Sequence, residues 1–306
     1  MFATDHLQSG LLRLVGFIVR RFSIERVQKM GASVGRFFYK HVPVRRAVAM
    51  ANLRLCFPDK PREDLEKIIA LCYVNVATVL FEFLYFPKFD AKSLRELVEF
   101  PEKSRDLINA ALSRGKGLVM ISGHFSNWEL IAFSVGLFAP ERFLVIVHPL
   151  HNKVVDELTN RYRCLLGNST VPMGNSIRAS LVRLKENKIV ALLADQSAAK
   201  ESAPAVFCGV EVPTFQGPAS FALKTGAAVH TGFLIRNEDG RYRVELEEID
   251  FSDLNDSEEG VRTLTQRHVA RLEEYVRKYP GNWLWFHKRF KHVPAFQKLL
   301  AEEEGR

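Results

Sequence analysis

Cysteine is scarce in this chain of 306 residues: Cys56, Cys72, Cys164 and Cys208 stand far apart, with no Cys-x2-Cys pair. Such usage speaks against a zinc site and a disulfide framework, and it predicts reduced thiols in a cytoplasmic setting. The nine histidines form no ligand cluster, so no metal is expected. A G-x-S-x-G elbow is missing, which removes most of the case for a serine hydrolase, although Ser122 and Ser126 flank a histidine. Without a P-loop or a G-x-G-x-x-G, nucleotide chemistry has no support. Internal repeats and low-complexity tracts are absent too. At 47% hydrophobic residues the chain has material for one large core.

Acidic residues are fewer than basic ones, 35 against 43, leaving a net charge of +8 and a pI near 9.3. That field suits an anionic membrane surface, an acidic protein or nucleic acid. No recognition helix or RNA-binding signature favours the last. Phe is abundant at 23 residues, several beside basic ones, which suits an interface with lipid.

Long hydrophobic runs are also few. In LQSGLLRLVGFIVRRF, residues 7–22, the apolar segment from Leu11 to Val19 is interrupted by Arg13. As a helix it spans only about 14 Å, half the hydrocarbon core of a bilayer. It lacks an A-x-A-like cleavage site, so a signal peptide is not expected. Arg20, Arg21, Arg26, Arg36, Lys40, Arg45 and Arg46 follow, amid Phe37, Phe38 and Tyr39. This pattern predicts a helix lying in the membrane interface, the competing assignment being an ordinary helix packed on the core. Residues 1–58 are accordingly expected to form a helical, interface-associating segment, and residues 59–306 an α/β domain.

What the chain does have is a set of short apolar runs ending in polar groups. Leu118–Ile121, Phe143–Val147 and Ile189–Ala194 read as strands buried on both faces. Helical patterns over 62–84, 102–113, 153–166 and from a cap at Asn175 or Ser176 to Lys185 alternate with them, and Ser257 and Glu258 open an amphipathic helix to about Tyr279. Residues 227–235 and 241–249 read as an antiparallel hairpin, and the polar loop from Ser197 to Pro204 as mobile. The fold class is therefore α/β, a largely parallel mixed sheet flanked by helices. In such sheets ligands collect beyond the carboxyl ends of the strands. There the three strands place His124 with Glu129, His148 with the arginines of the next helix, and Asp195-Gln196.

His124 and Glu129 carry the spacing His-x4-acid. Nine histidines and 35 acidic residues yield about one such pair by chance. Three occur. His268/Glu273 reads as solvated helix surface and His151/Asp156 as a helix cap; only His124/Glu129 follows a buried strand and a glycine. Five residues on a continuous helix leave the pair roughly 140° apart, so His124 must precede the regular helix for Glu129 to reach its ring. A neutral imidazole there suits general-base chemistry on an alcohol, with Glu129 fixing the tautomer.

The residues also resemble, in an ordered series over nearly the whole chain, the bacterial lipid A late acyltransferases of the lysophospholipid acyltransferase superfamily. The segment RAVAMANLRLCFP from Arg46 to Pro58 is similar to that family's R-x5-N-L-x3-F-P. Gly123–Glu129, GHFSNWE, resembles its form of the His-x4-acid motif. Asp195-Gln196 resembles a D-Q pair after a buried strand, Phe207–Gly209 with Thr214, Gly217 and Ala219 a glycine-bearing pattern, and Trp285–Lys291 the closing W-x-H-R-R-F-K. The resemblance implies catalytic His124 and Glu129, and substrate-binding positions among Asn127, Arg163 or its neighbour Arg161, Asp195, Gln196, Thr214 and Gly217. It implies an acyl chain moved from acyl carrier protein, less often coenzyme A, to a hydroxyl of a glycolipid at the cytoplasmic face of the inner membrane, without bound cofactor. A lysophospholipid or another amphiphile is the alternative acceptor.

Overall fold

The computed structural model describes residues 2–138, 143–200 and 202–305. Four helices come first: α1 (Phe2–Val19), α2 (Ile24–His41), α3 (Arg46–Cys56) and α4 (Arg62–Tyr85). The alternating part follows as α5 (Ala91–Leu97), β1 (Val98–Glu99), α6 (Glu102–Ser113), β2 (Leu118–Ser122), α7 (Trp128–Phe138), β3 (Phe143–Val147), α8 (Lys153–Arg163), β4 (Ser169–Pro172), α9 (Ser176–Lys185) and β5 (Ile189–Leu193). A small hairpin, β6 (Pro204–Phe207) and β7 (Val210–Pro213), precedes α10 (Gly217–Thr225), β8 (Ala228–Arg236), β9 (Tyr242–Glu248), α11 (Glu258–Lys278) and α12 (Pro294–Glu304).

The large sheet has the order β1-β9-β8-β2-β5-β3-β4. All its pairings are parallel except β8 with β9, which form the antiparallel hairpin expected from sequence. Its central strand β2 is flanked by β8 and β5, so Val119 and Ile121 face one layer of helices while Leu118 and Met120 face the other. That two-sided burial is why the run carries no polar alternation.

The N-terminal helices are part of this fold. Residues of α3 lie in one core with α4, α11 and the C-terminal aromatics. Helix α2 crosses α4 so closely that a Cβ on Gly35 would sit 2.5 Å from the Val74 Cα, and one on Gly31 2.7 Å from the Thr78 Cα. Only glycine permits that approach. Helix α4 is long and apolar enough to cross a membrane by composition, yet more than half of its apolar window is buried in the protein. Helix α1 packs on α4 and α8 and leaves Leu11, Leu14 and Phe17 more than half exposed.

Three expectations need correction. Cys56 and Cys208 are not free thiols but a disulfide between residues 152 apart in sequence. The end of α3 and the turn of the β6–β7 hairpin meet only in the fold, so sequence spacing conceals the pair. Cys72 and Cys164 are free, and burial pushes the Cys72 thiol up to about 12. His268 is not on a solvated face: it is buried within α11, and Glu273 accepts from the Cys208 backbone N–H instead of approaching a histidine. The polar loop after β5, whose Glu201 lies outside the described residues, is tied down at its start. Ser197 N–H donates to His287 and Ala198 N–H to the Pro213 carbonyl, and Ala198 is buried.

Candidate active site

Strand β2 delivers His124 to the carboxyl edge of the sheet, and an irregular turn, 123–127, separates it from α7. Ser126 sits in that turn at φ 49°, a left-handed conformation uncommon for a residue with a side chain, and is held by its neighbours. Its N–H donates to the Asn282 carbonyl and its own carbonyl accepts from Asn75. Asn127 ends the turn: its side-chain oxygen accepts the Leu130 N–H, the usual way to cap a helix whose first N–H groups lack partners.

The carboxylate on the ring is Asp195. His124 Nδ1 lies 2.8 Å from Asp195 Oδ1, and the His124 backbone N–H donates to Oδ2 at 2.9 Å. The indole N–H of Trp283 donates to the same Oδ2, also at 2.9 Å. Register explains the meeting. Ser122 at the end of β2 is level with Leu193 at the end of its parallel neighbour β5, so the next residues of both chains emerge side by side.

These contacts settle the ionisation. Burial alone would raise the Asp195 carboxyl, but the charge and hydrogen bonds of His124 and the bond from Trp283 outweigh it and hold the group at about 2. An ionised carboxylate can only accept, so in the neutral ring Nδ1 carries the proton and Nε2 the lone pair. For His124, burial lowers the pKa while the charge and hydrogen bond of Asp195 raise it more, leaving it above the ordinary 6.5. The imidazole remains 21% exposed. Gln196 Nε2 stands 3.3 Å from His124 Nε2, and the Trp128 ring is 5.3 Å from the imidazole.

Glu129 does not hold the ring. In the first turn of α7 it accepts two bonds from Arg163 at the end of α8, Nε at 2.8 Å and Nη2 at 2.6 Å. This planar fork-to-fork pairing is the strong form of an arginine–carboxylate contact. Both residues still act on His124 through space, Glu129 raising its pKa and Arg163 lowering it. Arg161, the other arginine of α8, is exposed and lies over the Tyr162 ring instead.

A sequence profile described as bacterial lipid A biosynthesis acyltransferase matches residues 3–292. The chain belongs to that family. It is 26% identical over 278 residues to a lipid A biosynthesis palmitoleoyltransferase of Escherichia coli, covering 89% of this chain and 87% of that one. A lauroyltransferase of lipid A biosynthesis from the same organism is 22% identical over 274 residues, covering 88% and 86%. A phosphatidylinositol mannoside acyltransferase of Mycolicibacterium smegmatis is 25% identical over 240 residues, covering 76% and 75%.

The remaining family-matched positions of this acyltransferase divide by burial. Asp195 is 2% exposed and faces protein donors, the His124 ring, the His124 backbone N–H and the Trp283 indole. Asn127 is fully buried between its cap and Glu82, which accepts from it at 2.6 Å. Thr214 is also buried, accepting from Arg289. Gly217 opens α10 and Gln196 stays beside the ring. The polar end of β3 does not join the site: His148 is exposed and, among the described residues, bonds locally, to the Pro149 carbonyl. His151 is likewise exposed, while Asp156 accepts the Leu150 N–H at the start of α8 and Asn152 caps that helix.

Four further side chains, none of them given a role by the sequence, shape the site. Trp283 belongs to a segment running beside the histidine turn, with Leu284 N–H donating to the His124 carbonyl. His287 accepts the Ser197 N–H, and burial holds it down at about 4, hence neutral. Arg289, 1% exposed, donates to the carbonyls of Gln196 and Pro213, and burial brings its pKa down to about 10. His287 and Arg289 lie within the family-like segment Trp285–Lys291, and Trp283 just before it. Glu82, 0% exposed, gathers Gln28, Asn127, Arg236 and Tyr242 and so ties α4 to the cap of α7. It had no signal beyond being an acid in an apolar helix.

Proposed function

We propose that this acyltransferase moves a fatty acyl chain from a thioester on acyl carrier protein, or on coenzyme A, to a hydroxyl of a lipid A precursor or related glycolipid. The observation that carries the reading is the His124–Asp195 pair: one protonated nitrogen anchored on a buried carboxylate, the other with its lone pair on an open ring. Nε2 takes the proton of the acceptor hydroxyl as its oxygen attacks the thioester carbonyl. The tetrahedral intermediate expels the thiolate, which receives that proton from the imidazolium. Asp195 stabilises the transient imidazolium, as the acid of a hydrolase triad does. The amide of Gln196 yields its place at Nε2 to the hydroxyl. Arg163, held flat by Glu129, is offered to a phosphate or to the thioester carbonyl.

Names of the relatives support a glycolipid acceptor of either lipid A or mannosylated phosphoinositide type. The exposed Leu11, Leu14 and Phe17 of α1, with Arg21 stacked on Phe17 at 4.5 Å, support seating at the cytoplasmic face of an inner membrane where such an acceptor resides. Transfer of a radiolabelled acyl group from acyl carrier protein to extracted lipids tests the reading. Equal transfer by the wild type and His124→Ala would reject the mechanism. Full retention on liposomes after removal of residues 1–22 would reject α1 as the sole anchor.

A further inference from the structure

Helix α9 presents an outer face that the fold leaves uncovered. Asn175, Ile177, Arg178, Leu181, Val182 and Lys185 line a groove of about 670 Å³ along it. Ile177 is 67% exposed and Val182 47%, more than isolated surface residues need. The helix contains no acidic residue. Among the described residues Arg183 and Lys188 share Glu186, while no carboxylate pairs with Arg178 or Lys185. Apolar contact flanked by unneutralised positive charge is the complement of an acidic, partly apolar protein surface.

Its position relative to the chemistry follows from register. Ser122 is level with Leu193; Val145 is level with Ala191, which puts Val147 opposite Leu193; and Val147 is level with Pro172. The order β2-β5-β3-β4 then separates the start of the groove from the histidine turn by three strand spacings, about 14 Å. Both open at the carboxyl edge of the sheet. The groove also lies across the sheet from α1. Leu158 and Tyr162 of α8, on which α1 packs, share a core with Met120 and Ala191, whereas Leu184 of α9 shares one with Val119 and Val190. Successive strand residues point to opposite faces.

From this arrangement we infer that α9 is the docking surface for the acyl carrier protein, which delivers its thioester on a flexible arm over the edge of the sheet while the lipid acceptor enters from the α1 side. The inference rests on the carrier-protein donor proposed above. Initial rates are compared for the wild type and the double variant Arg178→Glu/Lys185→Glu, with one acyl group presented on acyl carrier protein and on the small thiol N-acetylcysteamine. The variant raises KM for the protein-bound donor about tenfold, an effect that shrinks as salt is added, and leaves kcat and use of the small thioester unchanged. An unchanged KM for the carrier protein overturns the docking site, as does an equal loss with both donors, which would make α9 only a support. Weaker binding to vesicles of anionic phospholipid with the carrier-protein KM unmoved assigns the groove to lipid and also overturns it. A wild type that takes acyl groups only from coenzyme A rejects the donor reading itself, and the docking site with it.

Discussion

Two of the three stretches with this spacing, His124 with Glu129 and His268 with Glu273, invite comparison, and in neither does the acid bond the histidine. After β2, His124 finds its carboxylate 71 residues downstream in Asp195, and its pKa rises. Within α11, His268 is buried, its Nε2 has no hydrogen-bond partner among the described residues, and burial, aided by Arg289, pulls its pKa to about 3. Glu129 and Glu273 both turn to arginines instead, Arg163 and Arg277. Five residues on or next to a helix do not face one another. What distinguishes the first histidine is therefore the carboxylate on the strand beside it, and the spacing does not describe that wiring.

The largest way to sharpen this contrast is His124→Ala, which should lower kcat by about 10²–10⁴-fold, the usual worth of a general base. His268→Gln should leave it within about twofold, because no reacting group touches it. Asp195→Asn comes next, with a loss of about 10²–10³-fold in kcat and for a specific reason. Trp283 and the His124 backbone N–H both need an acceptor at Oδ2. The asparagine oxygen must sit there, which turns its amide N–H toward Nδ1 and forces the proton of the ring onto Nε2, the wrong tautomer. The wild-type rate should rise with pH through a pKa above 6.5, since the base works deprotonated. In the variant the limb should move to lower pH, because the carboxylate that raised it is gone. A pH–kcat profile checks both points. An unmoved limb would contradict the pairing.

Glu129→Gln should cost less, about tenfold in kcat/KM, through loss of the fork on Arg163. Combined with Arg163→Lys the losses should overlap, whereas combined with Asp195→Asn they should multiply, since only the first pair is in direct contact. The opposite pattern would return Glu129 to the role that its sequence position suggested.

The legible part of the fold was whatever a single segment specifies. Three buried strands, the bounds of α6, the end of α9 at Lys185 and the opening of α11 after Ser257 follow from apolar runs and turn chemistry confined to a few residues. Four-residue strands such as PAVF and VEVP were not legible, because a run that short has no measurable period. Nor were pairings fixed by strand order. That Asp195-Gln196 should lie at the same sheet edge as His124 was readable, since each ends a buried strand. That Asp195 rather than Glu129 holds the ring required knowing that β5 lies beside β2, and Cys56 with Cys208 required the same kind of long-range knowledge.

The smallest effect tests the other half of the comparison, through stability. A histidine held neutral by burial gains a proton on unfolding at any pH between its folded value and the ordinary 6.5. For His268 that window runs from 6.5 down to about 3, and for His230, lowered by burial, down to about 4. Their contribution is complete above 6.5 and is lost as the pH falls, at up to ~1.4 kcal/mol per pH unit for each. His124 has the opposite sign: its contribution is present below 6.5 and lost as the pH rises through its raised pKa. Urea unfolding of wild type and His268→Gln at pH 7 and pH 5 separates the two behaviours. Between those values the variant should lose less stability than the wild type, by about one proton's share of the slope, whatever its absolute stability at pH 7. An identical pH slope would mean that His268 is solvated as its sequence neighbours suggest, and the distinction between the two His-x4-acid stretches would then rest on Asp195 alone.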